Sequence, residues 1–129
     1  MPKCLTAYIF RKVNIQPVDV FSLLSHEIRL RCVLMLLDRP ELCVCDLTTV
    51  IGAPQPSVSR HLGQLRAAGL VADRREGQWI HYRLDSDLPE WVMAVVAEAA
   101  RAVVDAAPYR DDRETLAVIA ADDDMRRCR

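Results

Sequence analysis

The apolar residues change period at Gly69, and that change restricts the fold more than any other feature of the sequence. From Val18 to Leu37 they fall at Val20, Leu23, Leu24, Ile28, Leu30, Val33, Leu34, Leu36 and Leu37, the spacing of helix with a wide buried face. A break near Ser25 makes this two helices. Asp38-Arg39-Pro40 ends the second, because proline disfavours helix in the residue before it. Leu47, Val50 and Ile51 describe a short one-sided helix that stops at Gly52. Another opens at Pro54 to Ser57 and turns Val58, Leu62 and Leu65 inward, leaving Gln55, Ser59, Arg60 and Gln64 outward. Beyond Gly69 the pattern becomes nearly alternating. Leu70 to Arg74 and Trp79 to Leu84 read as strands, and Arg75-Glu76-Gly77-Gln78 between them reads as a hairpin turn in which glycine supplies a positive φ.

Two short helices joined by a tight turn and followed by a hairpin describe a winged helix-turn-helix, mainly α with a two-stranded β-wing. After the hairpin, Glu90 to about Asp105 reads as a last helix. Its polar positions are confined to Glu98, Arg101 and Asp105, while Trp91, Val92, Val95, Val96, Ala99, Ala100, Val103 and Val104 wrap most of the circumference. One small subunit cannot cover a helix so apolar, so it is expected to form a two-fold dimer interface. Residues 1–107 are expected to form one DNA-binding and dimerisation domain. Residues 108–129, with Asp122-Asp123-Asp124 and Arg126-Arg127, are expected to be a charged and poorly ordered tail.

A formal net charge of −1 argues at first against a nucleic-acid partner, since affinity there rests on neutralising phosphates. The distribution says otherwise. Residues 54–83 hold five arginines (Arg60, Arg66, Arg74, Arg75, Arg83) against Asp73 and Glu76, a net +3, which leaves −4 on the rest. A basic middle on an acidic frame suits a protein with one DNA-facing side. The second helix of a helix-turn-helix enters the major groove. Here it offers Gln55, Ser57, Ser59, Arg60, His61 and Gln64, of which glutamine suits adenine, arginine suits guanine, and serine suits base edges or phosphate. Arg74, Arg75 and Gln78 of the wing suit phosphate or minor groove. His61 is only three residues from Val58 and fits the core edge as well, and His81 fits packing on Trp79.

Five cysteines in a chain without a bilayer-length apolar run or a signal-peptide stretch over Met1 to Arg11 point to a cytoplasmic protein whose thiols are core residues, ligands or redox groups rather than structural disulfides. Cys32 lies in the apolar run Leu30 to Leu37 and reads as core. Cys43-Val44-Cys45 is the sharpest chemical feature: thiolate is the preferred ligand of soft centres, and the spacing is too short for a Cys-x-x-Cys redox motif or a zinc finger. Residues two apart in a helix point about 200° apart. One ion therefore meets both sulfurs only if the segment precedes the helix or if binding unwinds its first turn. An enzyme is not expected. None of Cys4, Cys32, Cys43 and Cys45 is followed by arginine six residues on, and glycine-rich phosphate loops and HExxH are absent.

Glu41 to Leu47, Gln55 to Leu62, Leu65 to Val71 and Arg74 to Leu84 together closely resemble the ArsR/SmtB family of metal-responsive repressors, and within it the arsenical-resistance operon repressors. The resemblance covers about residues 18–104. It implies a homodimer, formed through the N-terminal segment and the helix Glu90 to Asp105, that binds double-stranded operator DNA and dissociates when trivalent arsenic or antimony binds cysteine thiolates. Repressors of that kind often carry a third cysteine three residues after the second, where this chain has Thr48. The third sulfur is then Cys4 of the other subunit, as in cadmium-sensing relatives, or Cys128; otherwise two sulfurs suffice for a methylated arsenical or for a centre completed by an external thiol. The family's Asp/His site is not expected, since the last helix has no histidine. The alternatives within the same fold are a cadmium or lead sensor, and a redox sensor pairing Cys43 or Cys45 with Cys4 or Cys128.

Overall fold

The computed structural model describes residues 15–127, with side chains through Asp122. The first helix, α1 (Pro17–Leu24), starts on a capping box in which the Gln16 amide donates to Asp19 Oδ2 at 3.2 Å, with Pro17 preset in the first turn. A bend at Ser25 separates it from α2 (Glu27–Asp38), capped by His26, whose Nδ1 accepts from the Ile28 amide at 3.1 Å. This helix is the centre of the core, burying Cys32, Val33, Met35 and Leu36. Burial pushes the Cys32 thiol up to about 12, so it stays protonated and packs as a small hydrophobe.

A two-residue strand, β1 (Leu42–Cys43), leads directly into α3 (Val44–Ile51), which ends on Gly52 at φ 77°, a left-handed cap that a residue with a Cβ adopts only under strain. Next come α4 (Gln55–Ala67), β2 (Val71–Glu76), β3 (Trp79–Leu84) and α5 (Glu90–Ala102). The hairpin is joined through Gly77-Gln78, with Glu76 opposite Trp79 and Val71 opposite Leu84.

Three features differ from the sequence-based expectation. The two strands of the wing are joined by a third: β1 pairs antiparallel with β3, with Leu42 opposite Tyr82 and Cys43 opposite His81, giving the order β1-β3-β2. Two residues are too few to show alternation, so only the neighbouring strand defines β1. The helix α5 stops at Ala102, and Val103 to Asp105 form a turn. The expected loose tail carries a further helix, α6 (Tyr109–Arg127), which packs on α2 and α3. Its docking is specific. Leu116 is 2% exposed, and the 4% exposed Asp112 receives two hydrogen bonds from Arg31, at 2.9 and 2.7 Å. Local composition suggests a solvated tail because it does not reveal the arginine that waits on α2.

The core joins Val20, Val33, Leu36, Leu47, Val58, Leu62, Leu65, Leu70, Val92, Val96 and Leu116 across these elements. Val18 and Phe21 of α1 and Val104 after α5 remain exposed. Among the described residues no helix is long and apolar enough to cross a membrane.

Candidate functional site

The recognition helix α4 is set by its buried face. At about 100° per residue Val58, Leu62 and Leu65 share an arc of about 60°, and all three are fully buried. Gln55, Arg60 and Gln64 are exposed, and Ser57 and Ser59 are half-buried. Five of the six residues read from the sequence are thus accessible in whole or in part. His61 departs from that set. It is 5% exposed, its ring stacks on His26 with centroids 4.2 Å apart, and Arg29 Nη1 lies 3.1 Å from its Nδ1. On the helical wheel it falls about 40° from Leu65, which places it inside rather than at a base edge.

The wing shows a similar division. Arg74, Arg75 and Gln78 are all exposed, but Arg74 makes a two-pronged pair with Glu41, Nε and Nη2 donating at 2.8 and 2.7 Å. The same hydrogen bonds hold the Glu41 carboxyl below the usual carboxylate range. Arg74 is thus tied to the segment before β1 instead of standing free at the wing tip.

The cysteine pair straddles the start of a helix. Cys43 is the N-cap of α3, with φ −71° and ψ 147°, and Cys45 is in the first turn. With Cys43 off the helix, the two sulfurs approach to 2.8 Å, and the Cys45 amide donates to Cys43 Sγ at 3.4 Å. A centre with metal–sulfur bonds of about 2.3 Å spans sulfurs up to about 4.6 Å apart, and a tetrahedral one wants about 3.8 Å. At 2.8 Å the sulfurs are closer than such a centre would hold them, and binding one would have to part them by about 1 Å. Partial burial, the hydrogen bond to Cys43 and the nearby Cys43 and Asp46 charges push the Cys45 thiol up to about 12. The pair therefore rests with Cys45 as a thiol, and a ligand must displace its proton.

The surroundings are a groove of about 700 Å³ lined by Cys43, Cys45, Glu41, His81 and Trp79 on one side and by Leu116, Ile119 and Ala120 of α6 on the other. His81 lies 3.8 Å from Glu41 and 3.5 Å from Glu76. Thr48 donates from Oγ1 to the Val44 carbonyl at 2.8 Å and so braces the first turn of α3. Among the described residues, no group of three or more His, Cys, Asp or Glu side chains is arranged to hold a metal ion. Cys4 and Cys128, the two distant cysteines considered as third ligands, lie outside the described residues.

Comparison with known proteins decides the family. The model of bacterial regulatory proteins of the arsR family matches residues 26–73, the span from the cap of α2 to β2. The arsenical resistance operon repressor of Escherichia coli K12 is 47% identical over 85 residues, 66% of this chain and 73% of that protein. The chain belongs to the ArsR family. A second relative, the arsenic resistance transcriptional regulator ArsR2 of Pseudomonas putida, is 51% identical over 78 residues, covering 60% of this chain and 68% of the relative. Among solved structures, HlyU from Vibrio cholerae superposes with a TM-score of 0.59 at 36% identity, over 65% of this chain and 87% of that one. The fold and relatives of this ArsR-family chain are those of transcriptional regulators, not of enzymes.

The sequence did not reveal Arg29 beneath the recognition helix, the Arg74–Glu41 pair or the Arg31–Asp112 pair. Each joins residues at least 32 positions apart, beyond the reach of any local period.

Proposed function

We propose that this ArsR-family regulator is a repressor that binds operator DNA as a homodimer and leaves it when trivalent arsenic or antimony binds Cys43 and Cys45. The observation that carries the reading is the 2.8 Å approach of the two sulfurs at the start of α3, the helix that packs on α4. Base contacts fall to Gln55, Ser57, Ser59 and Arg60, with Gln64 offering only its amide NH₂ while its Oε1 accepts from Arg29, and backbone contacts fall to Arg75 and Gln78, with Arg74 recruited only if it leaves Glu41. The exposed Val18, Phe21 and Val104, on α1 and just after α5, supply apolar surface for the dimer.

Arsenous acid reacts with the pair by condensation: As(OH)₃ and two thiols give a hydroxyarsine bis-thiolate and two waters. Two As–S bonds form, two As–O and two S–H bonds break, and no electron changes hands. A third thiol, from Cys4 of the other subunit, from Cys128 or from outside, displaces the last hydroxyl. Opening the sulfur pair moves Cys43, which belongs to β1 and caps α3, so the displacement bears on the wing through β3 and on α4 through α3.

Gel shifts with arsenite, antimonite, cadmium, lead and peroxide, under controlled reductant, test the reading. Arsenite or antimonite should release DNA from the wild type and not from a Cys43→Ser, Cys45→Ser protein. Release by peroxide alone would make it a redox sensor, and release by cadmium or lead with a sulfur charge-transfer band would make it a metal sensor. X-ray absorption of the loaded wild type, Cys4→Ser and Cys128→Ser proteins counts the sulfurs.

A further inference from the structure

Arg29, on the first turn of α2, ties three helices together. Its Nε donates to the Leu23 carbonyl at 2.8 Å and its Nη2 to the Ser22 carbonyl at 3.3 Å, both at the end of α1. Its Nη1 reaches α4, 3.1 Å from His61 Nδ1 and 2.7 Å from Gln64 Oε1. A guanidinium only donates, so His61 Nδ1 must accept and the His61 proton sits on Nε2. The same logic applies to His26, whose Nδ1 accepts from the Ile28 amide. Two imidazoles that each need a bare Nδ1 thus lie with centroids 4.2 Å apart, tilted by 34°, beside a permanent cation.

The apolar contacts of Val58, Leu62 and Leu65 select which side of α4 is buried, but hydrophobic contact is non-directional and tolerates small rotations and slides. Reading a base edge does not, because a hydrogen-bonding constellation must be held to about 0.5 Å. His61 and Gln64 are one turn apart on α4, and a single guanidinium holding both fixes the helix about its axis and along it.

We propose that Arg29 is a positioning residue for DNA reading, which holds the recognition helix in register through neutral His61 and Gln64. The inference rests on the DNA-binding reading above. It has an acid consequence. Protonation at Nδ1 removes the acceptor that Arg29 needs and sets a second cation against it, so α4 loses its anchor and sequence discrimination falls. The groups bearing on His61 are His26 and Arg29 from the start of α2, and Arg60 and Gln64 on its own helix. Burial first, then the charges of His26, Arg29 and Arg60, hold His61 below the usual histidine range. The anchor is therefore intact at neutral pH and opens as the pH falls below that range.

The test uses the full chain, a duplex enriched by the wild type from a random-sequence library at pH 7.5, and a scrambled duplex of the same composition. The quantity read is the ratio of the two affinities. As the pH falls from 7.5 to the lowest value at which circular dichroism shows the wild type folded, its ratio should fall at least tenfold. His61→Gln, which keeps an acceptor for Arg29 but takes no proton, should hold its ratio within threefold. His26→Ser, which keeps a helix cap, should retain the wild-type acid loss. Arg29→Ala should lower the ratio at least tenfold at pH 7.5 while binding the scrambled duplex within threefold of wild type, and Arg29→Lys should fall between. Circular dichroism establishes that each variant is folded. An Arg29→Ala protein with the wild-type ratio overturns the proposal. So do parallel acid profiles for wild type and His61→Gln, a comparison that stands even if Arg29→Ala fails to fold. Failure of the wild type to enrich any duplex overturns the DNA reading itself, and this inference with it.

Discussion

Cys43 stands opposite His81 in the β1–β3 register, so the strand that carries the first thiol of the candidate inducer site is hydrogen-bonded into the wing. The same residue caps α3, and α3 packs on the recognition helix. A change of a fraction of an ångström at one sulfur is thus shared by both elements that would contact DNA. Packed interfaces transmit such shifts because they have little free volume to absorb them.

Replacing both thiols should separate sensing from binding. The Cys43→Ser, Cys45→Ser protein should bind operator within about twofold of wild type, since serine is a better N-cap than cysteine and both sites are small. It should fail to release DNA at arsenite concentrations that empty the wild-type complex. Fluorescence anisotropy with a labelled operator reads both quantities, and release by arsenite from the double variant would sink the assignment.

The proton on Cys45 makes cadmium and arsenite behave differently with pH. Its thiol is pushed up to about 12, so between pH 6 and 8 it stays protonated and a divalent cation must expel that proton to bind both sulfurs. Cadmium affinity should rise at least tenfold per pH unit over that range, about 1.4 kcal/mol per step. Arsenous acid condenses with loss of water, so its affinity should change less than threefold. Competition titrations at pH 6, 7 and 8 compare the two slopes, and a flat cadmium slope would contradict the raised thiol.

Arg74 and Arg75 should differ in their salt signatures. Arg75 is free of the Glu41 pair that engages Arg74. If each wing arginine met one phosphate, its loss would lower the slope of log affinity against log salt by about 0.9 per protomer. Arg75→Gln should show that change, Arg74→Gln less than half of it, and Glu41→Gln should steepen the slope. Affinities measured from 50 to 300 mM salt decide the order, and equal slopes for the two arginine variants would reject it.

The Arg31–Asp112 pair fastens α6. Its side chains are 12% and 5% exposed, and breaking one partner of a buried pair costs about 3–5 kcal/mol, an upper figure here because Arg31 keeps Glu27 at 3.8 Å. Asp112→Ala should lose stability in that range in urea unfolding, and Arg31→Met with Asp112→Leu should recover most of it. A loss below about 1 kcal/mol for Asp112→Ala would show that the helix is not fastened there.

The order of α1 to α5 and the β2–β3 hairpin is legible in the sequence, because those elements depend on periods of about 3.6 and 2 carried by neighbouring residues. The sequence by itself also determined the outward face of α4 from Gln55 to Gln64, the core role of Cys32, and the pairing of two thiols at a spacing that needs a break from helix. The tertiary structure decided what depends on distant partners. It made Leu42–Cys43 a strand by setting it beside β3 and turned His61 inward toward Arg29. It also drew Arg74 aside to Glu41 and converted a charged tail into a docked helix by giving Asp112 an arginine 81 residues away. A local pattern records which side of an element avoids water. Which particular charge or ring it meets there is fixed only when the elements pack, since hydrogen bonds and ion pairs act over a few ångströms and have no period along the chain.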